Sequence, residues 1–343
     1  MPNLEIANEI LAIPVSEAER LFGTPEQIGP VFREVALRWH PDLGGRQDVF
    51  AHLLALRAEA DRKSAAGAWV VPGRLEIGGR RIRFFYRFTF ELGAAYLGDK
   101  VLAYVVEPEF ADLARRAEAA ITGLNFADAA MRAEMAPRLP RLLAAFDGRA
   151  GQRVLVLEKP AGIIRLSDLL MHEGGRIPAR HVAWIISELL NFACYLNVYR
   201  GVIHLGLAPS TVFIAPATHQ VLTLGGWFYA TRRDTYLAAV PERTDRLLPM
   251  TARQAECAVP SIDLELIRAI GREALGDAAG TRLRLDPDVP PALADWLRSP
   301  SGNDPVAEYR HWPGTILDSF GARRFAELPV RASDIYGKEA NNG

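Results

Sequence analysis

Phe32-Arg33-Glu34-Val35-Ala36-Leu37-Arg38-Trp39-His40-Pro41-Asp42 is the stretch on which the N-terminal fold turns. Ile28, Phe32, Val35, Ala36 and Trp39 recur at three- and four-residue spacing, so they share one face of a helix. Pro41 disfavours helix at the residue before it, which ends the helix at about Trp39. Leu43-Gly44-Gly45 then makes a short loop, and a second apolar series follows in Val49, Phe50, Leu53, Leu54, Leu56 and Ala60. The pattern predicts two antiparallel helices with His40 and Asp42 projecting from the loop between them, and Pro41 limiting the loop's conformational freedom.

Upstream, Ser16-Glu17-Ala18-Glu19 has the spacing of a capping box, and Thr24-Pro25-Glu26-Gln27 repeats the signal with proline at the first helical position. Residues 1–63 therefore read as wholly helical, with Ser64-Ala65-Ala66-Gly67 as a linker. This region resembles a J domain. The resemblance covers nearly all of residues 15–63 and is carried by Leu21-Phe22-Gly23, by the helix and loop ending in His40-Pro41-Asp42, and by Phe50 and Leu53. It implies a loop that docks on a DnaK-type chaperone and stimulates its ATP hydrolysis, with Arg33 and Arg38 assisting. Family members carry a basic outer face on this helix; here Glu26 and Glu34 dilute it, and Gly29 and Pro30 stand where basic residues are common. Steering charge raises association rates, so weak chaperone coupling is expected.

From Trp69 to Val106 the periodicity shortens to that of strands. Leu75–Gly79 and Arg81–Phe85 read as a hairpin, with Phe88–Leu92 and Val101–Val106 as further strands. The arginines of Arg80-Arg81-Ile82-Arg83 alternate with apolar residues, which fits a solvated strand face better than a nucleic-acid patch. A helix striped by Phe110, Leu113, Ala117, Ile121 and Leu124 follows, then an ill-defined stretch, then a buried strand at Val154–Leu157. The remainder reads as helical, apart from short strands at Val202–His204, Val212–Ile214 and Val221–Leu224, and the tail from Ser333 as polar and frayed.

Residues from about 85 to 330 resemble a protein kinase of the divergent bacterial kind. Gly201-Val202-Ile203-His204-Leu205-Gly206-Leu207-Ala208-Pro209-Ser210-Thr211-Val212-Phe213-Ile214 is similar to the family's catalytic loop. Gly206 stands where the catalytic aspartate belongs, Ala208 at the lysine and Thr211 at the metal-binding asparagine. Leu224-Gly225-Gly226-Trp227 takes the place of the DFG segment, with Gly225 or Gly226 at its aspartate. Tyr104 or Val105 stands at the phosphate-pairing lysine, and Glu118 is similar to the family's helix glutamate without its lysine partner. The Gly93–Gly98 segment reads as a degenerate glycine-rich turn. Phosphoryl transfer depends on these groups for positioning and charge, so the resemblance implies a pseudokinase. Asp263 resembles the buried aspartate that ties the catalytic loop down, and His204 reads as a satisfied core histidine. Arg232 and Arg233 are the nearest arginines in sequence that could hold phosphate in place of the missing groups.

The chain has 343 residues, a formal net charge of −1 and 49% hydrophobic residues, which suits two or three globular domains and gives no field toward nucleic acid. Only four lysines occur, at 63, 100, 159 and 338. Cys194 and Cys257 lie outside any metal-ligand spacing. The start lacks the basic region and apolar core of a signal peptide. The apolar stretch Val182–Val198 is broken by Glu188, Asn191 and Asn197, so a buried helix is expected rather than a membrane span. Together these predict a soluble cytoplasmic protein without metal or cofactor, and the J-domain resemblance implies a co-chaperone. The expected layout is a J domain over residues 1–66, a kinase-like small lobe over 67–158, a helical large lobe over 159–331 and a tail over 332–343. Two other readings remain open: an atypical kinase or nucleotide sensor, and a structural adaptor with a vestigial J domain.

Overall fold

The computed structural model describes residues 7–15, 18–65, 73–322 and 324–339. The chain is mixed α+β, with N-terminal helices, then a strand-rich region, then helices. It divides into two compact units. One comprises 1–75, 81–86 and 332–343; the other comprises 76–80 and 87–331.

In the first unit α1 (Ala7–Leu11), α2 (Glu19–Phe22), α3 (Ile28–Trp39) and α4 (Gln47–Ala65) surround one small core. Ile10, Phe22, Leu53 and Leu56 are fully buried in it, and Phe32, Val35, Ala36 and Trp39 pack against it half-buried. The helical periodicity of α3 and α4 thus meets as expected, although Leu54 faces outward at 48% exposure. Glu19 and Lys63 form a mostly buried ion pair at 2.5 Å, holding α2 to α4.

The capping box at Thr24 does not form as its spacing suggests. Thr24 precedes a short 3-10 turn and makes no side-chain cap, because the tighter turn satisfies Gln27 N–H with the Thr24 carbonyl instead. The other box falls on Ser16 and Glu17, which lie outside the described residues; α2 begins after Ala18, and Glu19 pairs with Lys63. Ser64 and Ala65 continue α4, while Ala66, Gly67 and the Trp69 region lie outside the described residues.

The tail is a correction. Residues 332–339 form a helix, α14, with Ile335 3% and Tyr336 2% exposed. Tyr336 packs on Phe85 and Tyr86, with ring centroids 5.8 and 4.7 Å away. Two apolar residues in an otherwise polar segment were too weak a pattern to show this in sequence.

β1 (Gly73–Ile77) and β2 (Arg80–Phe84) pair as the expected hairpin through Gly78 and Gly79, both at positive φ. In the second unit β3 (Tyr86–Phe90), β4 (Gly93–Leu97), β5 (Val101–Val106), β6 (Leu142–Asp147) and β7 (Arg153–Glu158) form one sheet in the order β3-β4-β5-β7-β6. β4 replaces the glycine-rich turn expected at Gly93–Gly98. Ala94 and Ala95 pair with Val105 and Tyr104, and the chain turns instead at Glu91-Leu92 and around Asp99. Gly93 has φ +151 and lies against the Val105 carbonyl, where a Cβ would not fit. α5 (Ala111–Thr122) covers the sheet with Ala114, Ala117 and Ile121 buried. The ill-defined stretch resolves into α6 (Ala129–Met135), capped by the Asp128 carboxylate on Met131 N–H at 2.8 Å, and β6.

The rest of the unit is built on two buried helices, α8 (Ala179–Ala193) and α11 (Pro260–Ala274), which pack together. α8 continues as a π-helical segment, Cys194–Tyr199, so the buried helix expected over Val182–Val198 is present with a wider final turn. Val182, Ile185, Ile186, Leu189, Leu190, Ala193 and Leu196 are all 3% exposed or less. Ala179–Tyr199 is also long and apolar enough to cross a membrane, but most of it is buried inside the fold. β8 (Ile164–Arg165), β10 (Phe213–Ala215) and β11 (Gln220–Leu222) form a small sheet, and β9 (Val202–Ile203) pairs with β12 (Thr231–Arg232). α7 (Leu166–His172), α9 (Glu242–Leu247), α10 (Met250–Ala255), α12 (Pro291–Arg298) and α13 (Pro305–Phe320) complete it.

Candidate functional site

The loop between α3 and α4 is a tightly bonded turn. Leu43 and Gly45 N–H both donate to the His40 carbonyl, at 3.0 and 2.9 Å, and Gly44 N–H donates to Pro41 at 3.0 Å. His40 Nδ1 accepts Asp42 N–H at 3.2 Å, and its ring meets the edge of Phe50 at 4.8 Å. The Asp42 side chain is 89% exposed and that of His40 40%, so Asp42 projects fully while His40 leans back on α4. Gly44 takes the left-handed conformation at φ +84. Arg33 and Arg38 are exposed on α3, Arg33 reaching the Gly29 carbonyl at 3.3 Å. Leu37 and Leu43 flank the turn, each 66% exposed.

The second unit gathers Gly206, Thr211, Gly226 and Tyr104 around one cavity of about 430 Å³. The loop from His204 to Thr211 is held by Asp263, which is fully buried on α11. Its Oδ2 accepts N–H of His204 and the Asn197 side-chain amide, both at 2.8 Å, and its Oδ1 accepts Leu205 N–H at 2.9 Å. These bonds fix a loop in which Leu205 has φ +62, a conformation a branched side chain avoids unless held. His204 is wholly buried, its Nδ1 accepting Gly206 N–H at 3.2 Å and its ring set edge-on to Trp227 at 4.9 Å. Burial pushes its pKa down to about 3, against the opposing effect of the Gly225 backbone.

Thr211 ties the loop to itself, its hydroxyl donating to the Gly206 carbonyl at 2.7 Å and accepting Ala208 N–H at 2.9 Å. Gly225 N–H donates to the Thr211 carbonyl at 3.0 Å. A Cβ on Gly225 would lie 2.9 Å from both Thr211 Cα and the Tyr104 hydroxyl. The Gly206 and Gly226 backbones pass in direct contact. The Thr211 hydroxyl, at the position matched to the metal-binding asparagine, is committed to the loop.

Of the two residues considered at the lysine position, Tyr104 is the one that lines the cavity. Glu118 does not point to it. Its carboxylate pairs with Arg153 on β7 at 2.6 Å, a partner that spacing alone could not reveal. Arg232 and Arg233 are exposed on and beside β12 and do not line the cavity; Arg165, Arg243 and Arg246 do. Arg165 is clasped by Asp168, Arg243 bonds Glu273 at 2.6 Å and the Leu207 carbonyl at 2.9 Å, and Arg246 pairs with Glu242 at 3.0 Å. Glu91, at the β3–β4 turn, accepts Glu242 N–H at 3.1 Å and lies against Tyr229.

No protein-family model matches this chain, and no curated protein matches its sequence.

Proposed function

We propose that this chain is a co-chaperone whose α3–α4 turn engages a DnaK-type chaperone and stimulates its ATPase, with the second unit serving as a protein-recognition scaffold of kinase-like build that lacks phosphoryl-transfer chemistry. The observation that carries the first half is the turn: His40-Pro41-Asp42 stands between two helices with a shared core, held by its own backbone bonds, with Asp42 in solvent. A loop so fixed pays little ordering entropy on docking.

The second half is supported by the β3–β7 sheet with a helix after its third strand, by a mainly helical region beyond it, and by Asp263 clamping the His204 loop. On this reading lysine, aspartate and asparagine are replaced by Tyr104, Gly206 and Thr211, and the cavity's arginines Arg165, Arg243 and Arg246 are each paired with a carboxylate.

The test is steady-state ATP hydrolysis by a purified DnaK-type chaperone with added full-length protein. The rate rises with the wild type and stays at baseline with His40→Gln, whose melting temperature is unchanged. Equal stimulation by both proteins overturns the reading. Micromolar ATP binding that vanishes on magnesium chelation would instead favour the nucleotide-sensor alternative.

A further inference from the structure

We propose that the cavity of the second unit binds a small, uncharged, planar aromatic molecule that presents a carbonyl-type hydrogen-bond acceptor to the Tyr104 hydroxyl. The inference rests on the cavity alone and is independent of the co-chaperone reading. At about 430 Å³ the space suits a compact ligand rather than a chain segment.

Its walls are aromatic. Phe90 and Phe228 stack with centroids 5.4 Å apart, and Tyr104 sets its edge to both, at 5.4 and 5.5 Å. Phe88 and Tyr229 extend the lining. Phe90 and Phe228 leave no gap between them, so a planar ligand adds its ring to the face or edge of this cluster.

The inner polar group is unusual. Tyr104 is 4% exposed and lines the cavity, yet its hydroxyl makes no hydrogen bond among the described residues. Burial also holds the phenol protonated, so it offers a donor over the whole physiological pH range. The hydroxyl is not sealed from the cavity space, so it stands as a donor that an acceptor on a bound molecule can engage in place of water.

The charges decide what the ligand is not. Arg165 and Arg243 are held in part-buried pairs by Asp168 and Glu273, Arg246 shares an exposed pair with Glu242, and Glu91 keeps its negative charge while accepting Glu242 N–H. Among the described lining residues a phosphate or carboxylate would shed its water to meet two engaged guanidinium groups and a repelling carboxylate. An amide, lactam or ketone carbonyl suits the phenol without that penalty.

Calorimetric titration of the full chain with 2-quinolone tests the proposal, with indole as a probe lacking the acceptor and benzoate as a charged one. The expected result is stoichiometric 2-quinolone binding that weakens about tenfold in Tyr104→Phe, the loss of one hydrogen bond. Indole affinity changes less than about twofold in the same variant, and Phe228→Leu weakens both probes. Tyr104→Phe preserves the ring, and an unchanged melting curve confirms the fold. The proposal fails if 2-quinolone does not bind at millimolar concentration, if Tyr104→Phe binds it as tightly as wild type, or if benzoate binds more tightly.

Discussion

Gly206 and Gly226 face each other backbone to backbone, so closely that a Cβ on either would overlap the other's carbonyl oxygen. A Cβ on Gly206 would also sit 2.8 Å from Gly226 Cα, and one on Gly226 2.8 Å from His204 Cε1. The two glycines belong to the loop held by Asp263 and to the segment entering Trp227, which is itself fixed by its indole N–H on the Thr223 carbonyl at 2.6 Å. On the pseudokinase proposal these are the positions of two kinase aspartates, and here two peptide groups are in contact instead.

Gly206→Asp should therefore fail to restore phosphoryl transfer and should destabilise the second unit by about 1–3 kcal/mol, the usual cost of forcing atoms into a packed interior. Denaturant unfolding followed by tryptophan fluorescence reads the loss, since Trp227 sits beside the site. A variant as stable as wild type would show that the two loops separate easily.

His204 gives the fold an acid sensitivity. Its folded pKa, about 3, lies far below the ordinary histidine value of 6.5. The unfolded chain binds a proton that the folded chain refuses, so stability is fully present above about pH 6.5 and is lost as pH falls toward 3. The slope is about 1.4 kcal/mol per pH unit, or roughly 2 kcal/mol between pH 6.5 and 5. His204→Asn, which keeps an acceptor for Gly206 N–H, should be less stable at neutral pH but should lose one proton's worth of this slope. Equal slopes in the two proteins would remove His204 as the cause.

The helices of the first unit were legible because their apolar spacing and their punctuation by Pro41 and Gly44 agree. The inward face of α8 could likewise be read from its period, whereas the buried role of Asp263 came only from the resemblance. β4 could not, because Gly93-Ala94-Ala95 has none of the branched side chains that mark strands and is extended only through its pairing with β5. The cavity was half legible. Its loop positions follow from the sequence of residues 204–211, but Phe90, Tyr104 and Phe228 meet only through the fold, as do the arginines and their carboxylates. Arg232 and Arg233 were favoured by nearness in sequence, which carries no information about which face of a short strand they take.

Tyr336→Ala should detach α14. The ring is 2% exposed and packs on Phe85 and Tyr86, so its removal leaves an apolar void costing about 3 kcal/mol. Limited proteolysis at the C-terminus should accelerate accordingly. Truncation after Arg331 should have the same effect on stability. Unchanged proteolysis and melting in Tyr336→Ala would mean that the helix contributes nothing to the first unit.

Gly45 offers a sharper test of the α3–α4 turn than its exposed residues do. A Cβ at Gly45 would overlap the Trp39 carbonyl and lie 2.6 Å from Trp39 Cα, so alanine there must push the end of α3 away from the start of α4. The Gly45 N–H bond to the His40 carbonyl would be lost with it. Gly44 differs: its φ is +84, but nothing lies within 4 Å of its added Cβ. Asparagine tolerates that conformation better than other side chains. Gly44→Asn should thus stimulate a DnaK-type ATPase nearly as well as wild type. Gly45→Ala should lose about 1–3 kcal/mol of stability and most of the stimulation, although His40, Pro41 and Asp42 are all intact. Stimulation that survives Gly45→Ala would mean that the turn's geometry is irrelevant to docking, and that the three residues act without the frame that holds them.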